Sequence, residues 1–124
     1  MKLDYMFLKD FLNAIESNSK HSVPYSVIIA KLHTYDEDKF IGHLKLLFDE
    51  NCIESNFKNG GIITDCGPTD ILCKDAECRL TSRGHKFLEV LNNDKVLNKV
   101  KPYAIDIAID IGTQLIMELI KKAN

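Results

Sequence analysis

Cysteine and histidine are the residues of this chain best equipped for chemistry, and it has four of each. Cys66, Cys73 and Cys78 are separated by six and four intervening residues, with Cys52 further upstream. A structural zinc site usually opens on a close cysteine pair, and no Cys-x-x-Cys occurs. The spacing points to thiols that act as small hydrophobes, with no bound metal. His21 and His33 fall at loop or helix-end positions, and His43 and His85 on helices. A nucleophilic pair would need a thiol within hydrogen-bond reach of a base such as His85. Nothing around Cys78 forms a nucleophile motif. The chain has no phosphate-cradling glycine loop, zinc-protease helix or nucleophile elbow. Asp36 and Asp38 suit the positive end of a helix dipole better than paired acid-base work. The expectation is a protein that is not an enzyme and carries no cofactor.

Binding is the remaining chemistry. Residues 79–101 hold Arg79, Arg83, Lys86, Lys95, Lys99 and Lys101 against Glu89 and Asp94, a local surplus of four positive charges. Such a stretch suits backbone phosphates of double-stranded DNA. The bland reading of the same residues is a solvated helix face. The whole chain carries a net charge of -2, so it has no global basic footprint.

Apolar spacing gives the elements that must position these groups. In residues 3–17, Phe7, Leu8, Phe11, Leu12 and Ile15 share one helical face, with Lys9, Asn13 and Glu16 opposite. Pro24 suits the first turn of a short helix over residues 25–33. Asp36 is a good N-cap for a third helix, whose stripe is Phe40, Ile41, Leu44, Leu47 and Phe48. Asp38, Lys39, Gly42, His43, Lys45 and Leu46 lie on or beside its opposite face. Asn51 suits the left-handed position that ends it. Residues 52–55 read as a strand start, Asn59-Gly60-Gly61 as a turn, and 62–64 as a second strand. Residues 66–70 are loop chemistry, and 77–80 form a last strand. Thr81 then caps a helix in which Gly84 leaves the first turn bare. His85 is placed to lock that cap by bonding a wing or helix carbonyl, and His43 either does the same toward the first helices or faces solvent. The order helix, helix, helix, strand, strand, helix is that of a winged helix-turn-helix: mainly α with a small β-wing, followed by C-terminal helices. Residues 56–76 would be a long wing.

In this order the third helix would meet the major groove, and Lys39, His43 and Lys45 are its favourable contacts. Arg79, Arg83 and Lys86 would serve on the wing side. Asp36, Glu37 and Asp38 at the same helix end repel phosphate. They favour the alternative reading, a protein-interaction module that uses the scaffold without touching DNA.

The segments His43-Leu44-Lys45-Leu46-Leu47, Leu80-Thr81-Ser82-Arg83-Gly84-His85-Lys86-Phe87-Leu88 and Asn92-Asn93-Asp94-Lys95-Val96 carry a resemblance. They resemble a family of bacterial and phage proteins known as a domain of unknown function. Its pattern is a His-Leu-x-Leu-Leu helix, a Leu-Thr-x-x-Gly-His-x-Phe-Leu cap and a short charged stretch. The chain departs from it at Asn51-Cys52-Ile53, where the family has Gly-Leu-Ile, and at Leu97, where it often has an aromatic. The resemblance covers most of residues 1–101. It implies a winged-helix-like fold and a phage or mobile-element association, and it carries no activity to transfer.

One structural domain is expected, with residues 1–101 as the winged-helix-like part and 102–124 as an apolar helix. In residues 103–120, Asp106, Asp110, Gln114 and Glu118 form one narrow polar stripe on a helix otherwise of Ile, Leu, Ala and Met. A helix so apolar is buried or shared with a partner. Ile105, Ile109, Ile116 and Leu119 are the expected interface of a homodimer. Residues 105–111 also alternate like a strand, and the length approaches a membrane span, but the acids would be costly in lipid. No secretory signal opens the chain, so the cytoplasm is the expected location.

Overall fold

The computed structural model describes residues 2–18, 20–63 and 70–123. The protein is mainly helical, with a small antiparallel sheet. Helix α1 (Tyr5–Glu16) starts where the Asp4 carboxylate accepts from the Phe7 N–H at 3.0 Å. It buries Leu8, Phe11 and Leu12 completely, as their spacing requires. Next come strand β1 (Val23–Pro24), helix α2 (Tyr25–Lys31) and helix α3 (Glu37–Asp49). Strand β2 (Ile53–Ser55), a 3-10 turn (Lys58–Gly61), β3 (Ile62–Ile63), β4 (Ile71–Leu72) and β5 (Glu77–Leu80) follow. Helices α4 (Ser82–Asn92), α5 (Asp94–Val100) and α6 (Ile105–Ala123) complete the order.

The sheet order is β1-β5-β2, antiparallel throughout, with Val23 opposite Cys78 and Ile53 opposite Leu80. Strand β1 is an addition to the sequence reading, which gives Pro24 to the start of a helix over residues 25–33; that helix forms as α2. Pro24 sits on an edge strand and caps α2, where its missing donor costs nothing. β3 and β4 pair as a separate two-stranded ladder, with Ile62 opposite Leu72. The loop expected over 66–70 lies outside the described residues except for Asp70, and so does Cys66.

Asp36 caps α3 by accepting from Lys39 N–H at 3.3 Å, and Asn51 adopts φ 58° at its far end. Phe40, Leu44 and Leu47 are fully buried, Ile41 nearly so, and Phe48 only partly. The Phe48 ring lies over the 3-10 turn, where Gly60 has φ +66°. A Cβ at Gly60 would overlap that ring unless Phe48 shifted, and the left-handed conformation favours glycine there as well.

Residues 105–111 are helical, which settles the strand-like alternation of isoleucines. Ile105, Ala108 and Ile109 are buried at helical spacing, and Gly112 continues the stripe. A Cβ on Gly112 would lie 2.6–2.7 Å from the Val90 methyls, so α6 meets α4 at close approach there. No helix among the described residues is long and apolar enough to cross a membrane.

Candidate functional site

The side chains expected to meet DNA lie on α3, β5 and the start of α4. Lys39 Nζ donates to the Asp4 carboxylate at 2.6 Å and stands 5.3 Å from the Phe7 ring centre. That bond holds the Asp4 carboxyl below its ordinary range. Lys45 pairs with Asp70, and Arg79 with Glu54. Arg83 donates from Nε to the Glu50 carbonyl at 3.0 Å, with the Glu50 and Asp110 carboxylates at 3.6 and 3.9 Å. Lys86 is exposed and takes part in no ion pair among the described residues. Asp36, Glu37, Asp38 and Asp49 stand exposed along α3. Surface pairs of this kind are weak, so they do not lock the cations away. Their consequence is in the field: each cation brings an anion that would face the same phosphate.

His43 requires a correction. A groove contact needs the outward face of α3, whereas the alternative role is a bond toward the first helices; His43 is fully buried, in the alternative placement. It follows Phe40 by three residues and precedes Leu47 by four, which turns it inward at the edge of the apolar stripe. Nδ1 lies 2.8 Å from the Lys39 carbonyl, and Nε2 accepts from the Asp4 N–H at 3.0 Å. The ring is therefore neutral with its proton on Nδ1. Its centre is 4.9 Å from that of Phe7. His43 thus ties α3 to the cap of α1 and cannot reach a groove. Burial lowers its pKa from 6.5. As pH falls below 6.5, the unfolded chain takes up a proton that the folded chain resists, so stability falls. Urea melts between pH 7.5 and 5.5 should show this loss, and His43→Gln should flatten the slope. Identical slopes in the two proteins would remove the assignment.

The strand-to-helix corner holds the cap. Thr81 Oγ1 accepts from Gly84 N–H at 3.1 Å and donates to the Asn51 carbonyl at 2.5 Å. Thr81 N–H donates to the Cys52 carbonyl at 3.0 Å. A Cβ on Gly84 would overlap that same carbonyl oxygen. His85 departs from its expected role. Its ring is half exposed and its Nδ1 lies 3.4 Å from Glu16, with no carbonyl bonded by it among the described residues. Its position after the cap places it on the exposed face of α4, toward Glu16 at the end of α1.

The expected dimer interface divides into two halves. Ile105 and Ile109 are buried within the chain, so they are unavailable to a partner. Ile116 is half-buried and Leu119 exposed, because α6 runs on past the elements that cover its first half. Ile120, at 57% exposed, continues the same face. These residues border an open groove of about 1010 Å³ with Leu88 of α4, and Glu16, Glu89 and Asp94 line it too. The sequence reading missed this groove; the unbroken 116, 119, 120 spacing and the following Lys121 and Lys122 were its signal.

A second cavity, about 500 Å³, lies between α3 and the 3-10 turn, bordered by Lys45, Phe48, Asp49 and Phe57. Phe57, beside the 3-10 turn, and Ile63 and Ile71, on β3 and β4, are each more than 40% exposed. Their apolar character was missed too, since short strands with one face in water read as alternating whichever face is covered.

The thiols sit in apolar surroundings. Burial pushes Cys52 up to about 11 and Cys78 up to about 12. Cys73 is partly buried. Among the described residues, no three His, Cys, Asp or Glu side chains are grouped to hold a metal.

These elements define a mainly α protein with a small antiparallel sheet. Residues 2–109 match the model of a family described as Hypothetical protein (DUF2513), and the chain belongs to that family. No curated protein and no solved structure matches the chain.

Proposed function

We propose that this chain is a cytoplasmic winged-helix module that binds protein rather than DNA, and that it self-associates through α6. The strand order β1-β5-β2 around three helices supports the winged-helix assignment. The observation that carries the functional reading is the pairing of Lys39, Lys45, Arg79 and Arg83 with carboxylates of the same chain. A groove-facing helix bordered by Asp36, Glu37, Asp38 and Asp49 gains little by releasing counterions. The exposed apolar side chains Phe57, Ile63 and Ile71 suit a protein surface instead.

A second reading, a DNA-binding regulatory factor of the kind the phage-related resemblance implies, has a specific basis in the exposed Lys86, Lys95, Lys99 and Lys101. One titration separates the two. Fluorescent duplex is titrated with protein at low and physiological salt. The expected result is no salt-dependent binding at micromolar protein. Affinity falling with salt at a slope near about -5, as six phosphate contacts would give, establishes the DNA reading instead. On the protein side, a cross-linked partner should be lost on Phe57→Asp or Ile71→Asp while Lys86→Ala retains it.

A further inference from the structure

We infer that the groove between α4 and the second half of α6 is the seat for the α6 tail of a second copy of this chain. The inference deepens the self-association part of the reading above and rests on it. Ile105, Ile109 and Gly112 form the stripe that α6 buries against its own chain. The spacing 105, 109, 112, 116, 119 continues that stripe in steps of four and three, with no polar residue breaking it. Within one copy the cover stops: Ile116 is half-buried, Leu119 is 41% exposed and Ile120 57%. A stripe begun as an interior face and left open calls for an apolar neighbour of the same kind.

Charge says which neighbour. The groove has an apolar floor of Leu88, Ile116 and Leu119, and its rim carries Glu16, Glu89 and Asp94 against Lys95. Glu16 also faces His85, and Asp94 has Lys9 at 3.7 Å. The last turn of α6 carries Lys121 and Lys122, both exposed. The tail is thus apolar on one face and basic at its end, while the groove is apolar below and acidic above. One chain holds both halves of the match, which is the condition for a closed two-fold dimer. An antiparallel crossing of two α6 helices meets it, because their first halves bear Asp106 and Asp110 and their ends bear lysine. A parallel crossing sets like charge on like.

Sedimentation velocity of the 124-residue chain tests the seat, with circular dichroism to check that each variant keeps its helices. Wild type should run as a dimer at micromolar concentration. Leu119→Glu with Ile120→Glu, both at exposed positions, should give a folded monomer. Lys121→Glu with Lys122→Glu should weaken the dimer about tenfold, since four symmetric rim contacts reverse together. Adding Glu16→Lys and Glu89→Lys to that variant should restore it. A wild-type monomer at 100-fold higher concentration than about 1 µM, or a dimer indifferent to Leu119→Glu with Ile120→Glu, overturns the seat. So does a charge reversal without effect, or one that the compensating pair fails to rescue. The separate duplex titration and the Phe57→Asp cross-linking do not depend on α6. For self-association itself, a dimer indifferent to the α6 variants fails the seat alone, whereas a wild-type monomer fails the seat and self-association together.

Discussion

Gly84→Ala is expected to destabilise the fold by about 3 kcal/mol, the upper part of the usual cost of forcing atoms into a packed site. The added methyl has no free direction. It points at the Cys52 carbonyl oxygen, with the Cys52 carbonyl carbon at 3.1 Å and a Leu80 methyl at 3.4 Å. The obstacle is backbone, so no side-chain rotation relieves it. That same oxygen already accepts from Thr81 N–H, which joins β5 to the end of α3. Moving α4 outward would break this bond together with the Thr81 cap, and would leave the Asn51 carbonyl without its hydroxyl donor. Thermal unfolding should show a fall of roughly 10–15 °C for a domain of this size. Lys86→Ala, exposed on the same helix, should change stability by less than about 0.5 kcal/mol. A Gly84→Ala protein within about 1 kcal/mol of wild type would mean that α4 does not approach the α3–β2 corner this closely.

That corner was legible in the sequence because its signals are local. A threonine three residues before a glycine, at the end of an apolar run, predicts a cap and a bare first turn without knowledge of the rest of the chain. Asn51 and Asp36 were legible for the same reason. The apolar stripes of α1 and α3 were read in the correct phase, since period 3.6 over three turns leaves few alternatives. Pro24 was read correctly as starting α2, but the edge strand it closes was not, because starting a helix and ending an edge strand apply at neighbouring positions. Only the pairing of Val23 with Cys78, 55 positions away, separates them.

The candidate site was less legible, because it depends on pairs distant in sequence. Lys39 with Asp4, Lys45 with Asp70 and Arg79 with Glu54 join residues 25 to 35 positions apart. A count of charges along residues 79–101 sees a basic stretch, whereas the fold supplies an acid to Arg79 and Arg83 from elsewhere. His43 shows the same limit. A histidine at the edge of an apolar stripe is ambiguous until the partner for each ring nitrogen is known. For α6, composition established that the helix needed cover, and only the fold separates the half covered by its own chain from the half left open.

Leu44→Ala should be strongly destabilising, at about 3–4 kcal/mol within the range for buried leucine. Leu44 is fully buried, and so are Phe40 and Leu47 on the same stripe. The surrounding core is unusually aromatic at this level. Phe40 is approached by Phe7, Phe11, Tyr25 and Tyr35, with ring centres between 5.0 and 6.5 Å away. Rings held from several elements cannot slide into a vacated volume as flexible aliphatic chains do, so the cavity should remain largely open and its cost should stay high. Leu46→Ala provides the internal comparison. Leu46 is only partly buried, and its truncation should cost about 1 kcal/mol or less. Equilibrium urea unfolding of both variants gives the difference directly, with an unchanged slope showing that the denatured state is not the cause. Against a total stability of about 5–15 kcal/mol, the Leu44→Ala protein should still fold, with its midpoint shifted well below wild type. A loss under 1 kcal/mol, or a larger loss at Leu46 than at Leu44, would mean that the buried face of α3 is rotated from the one described, and His43 would then be free to face outward.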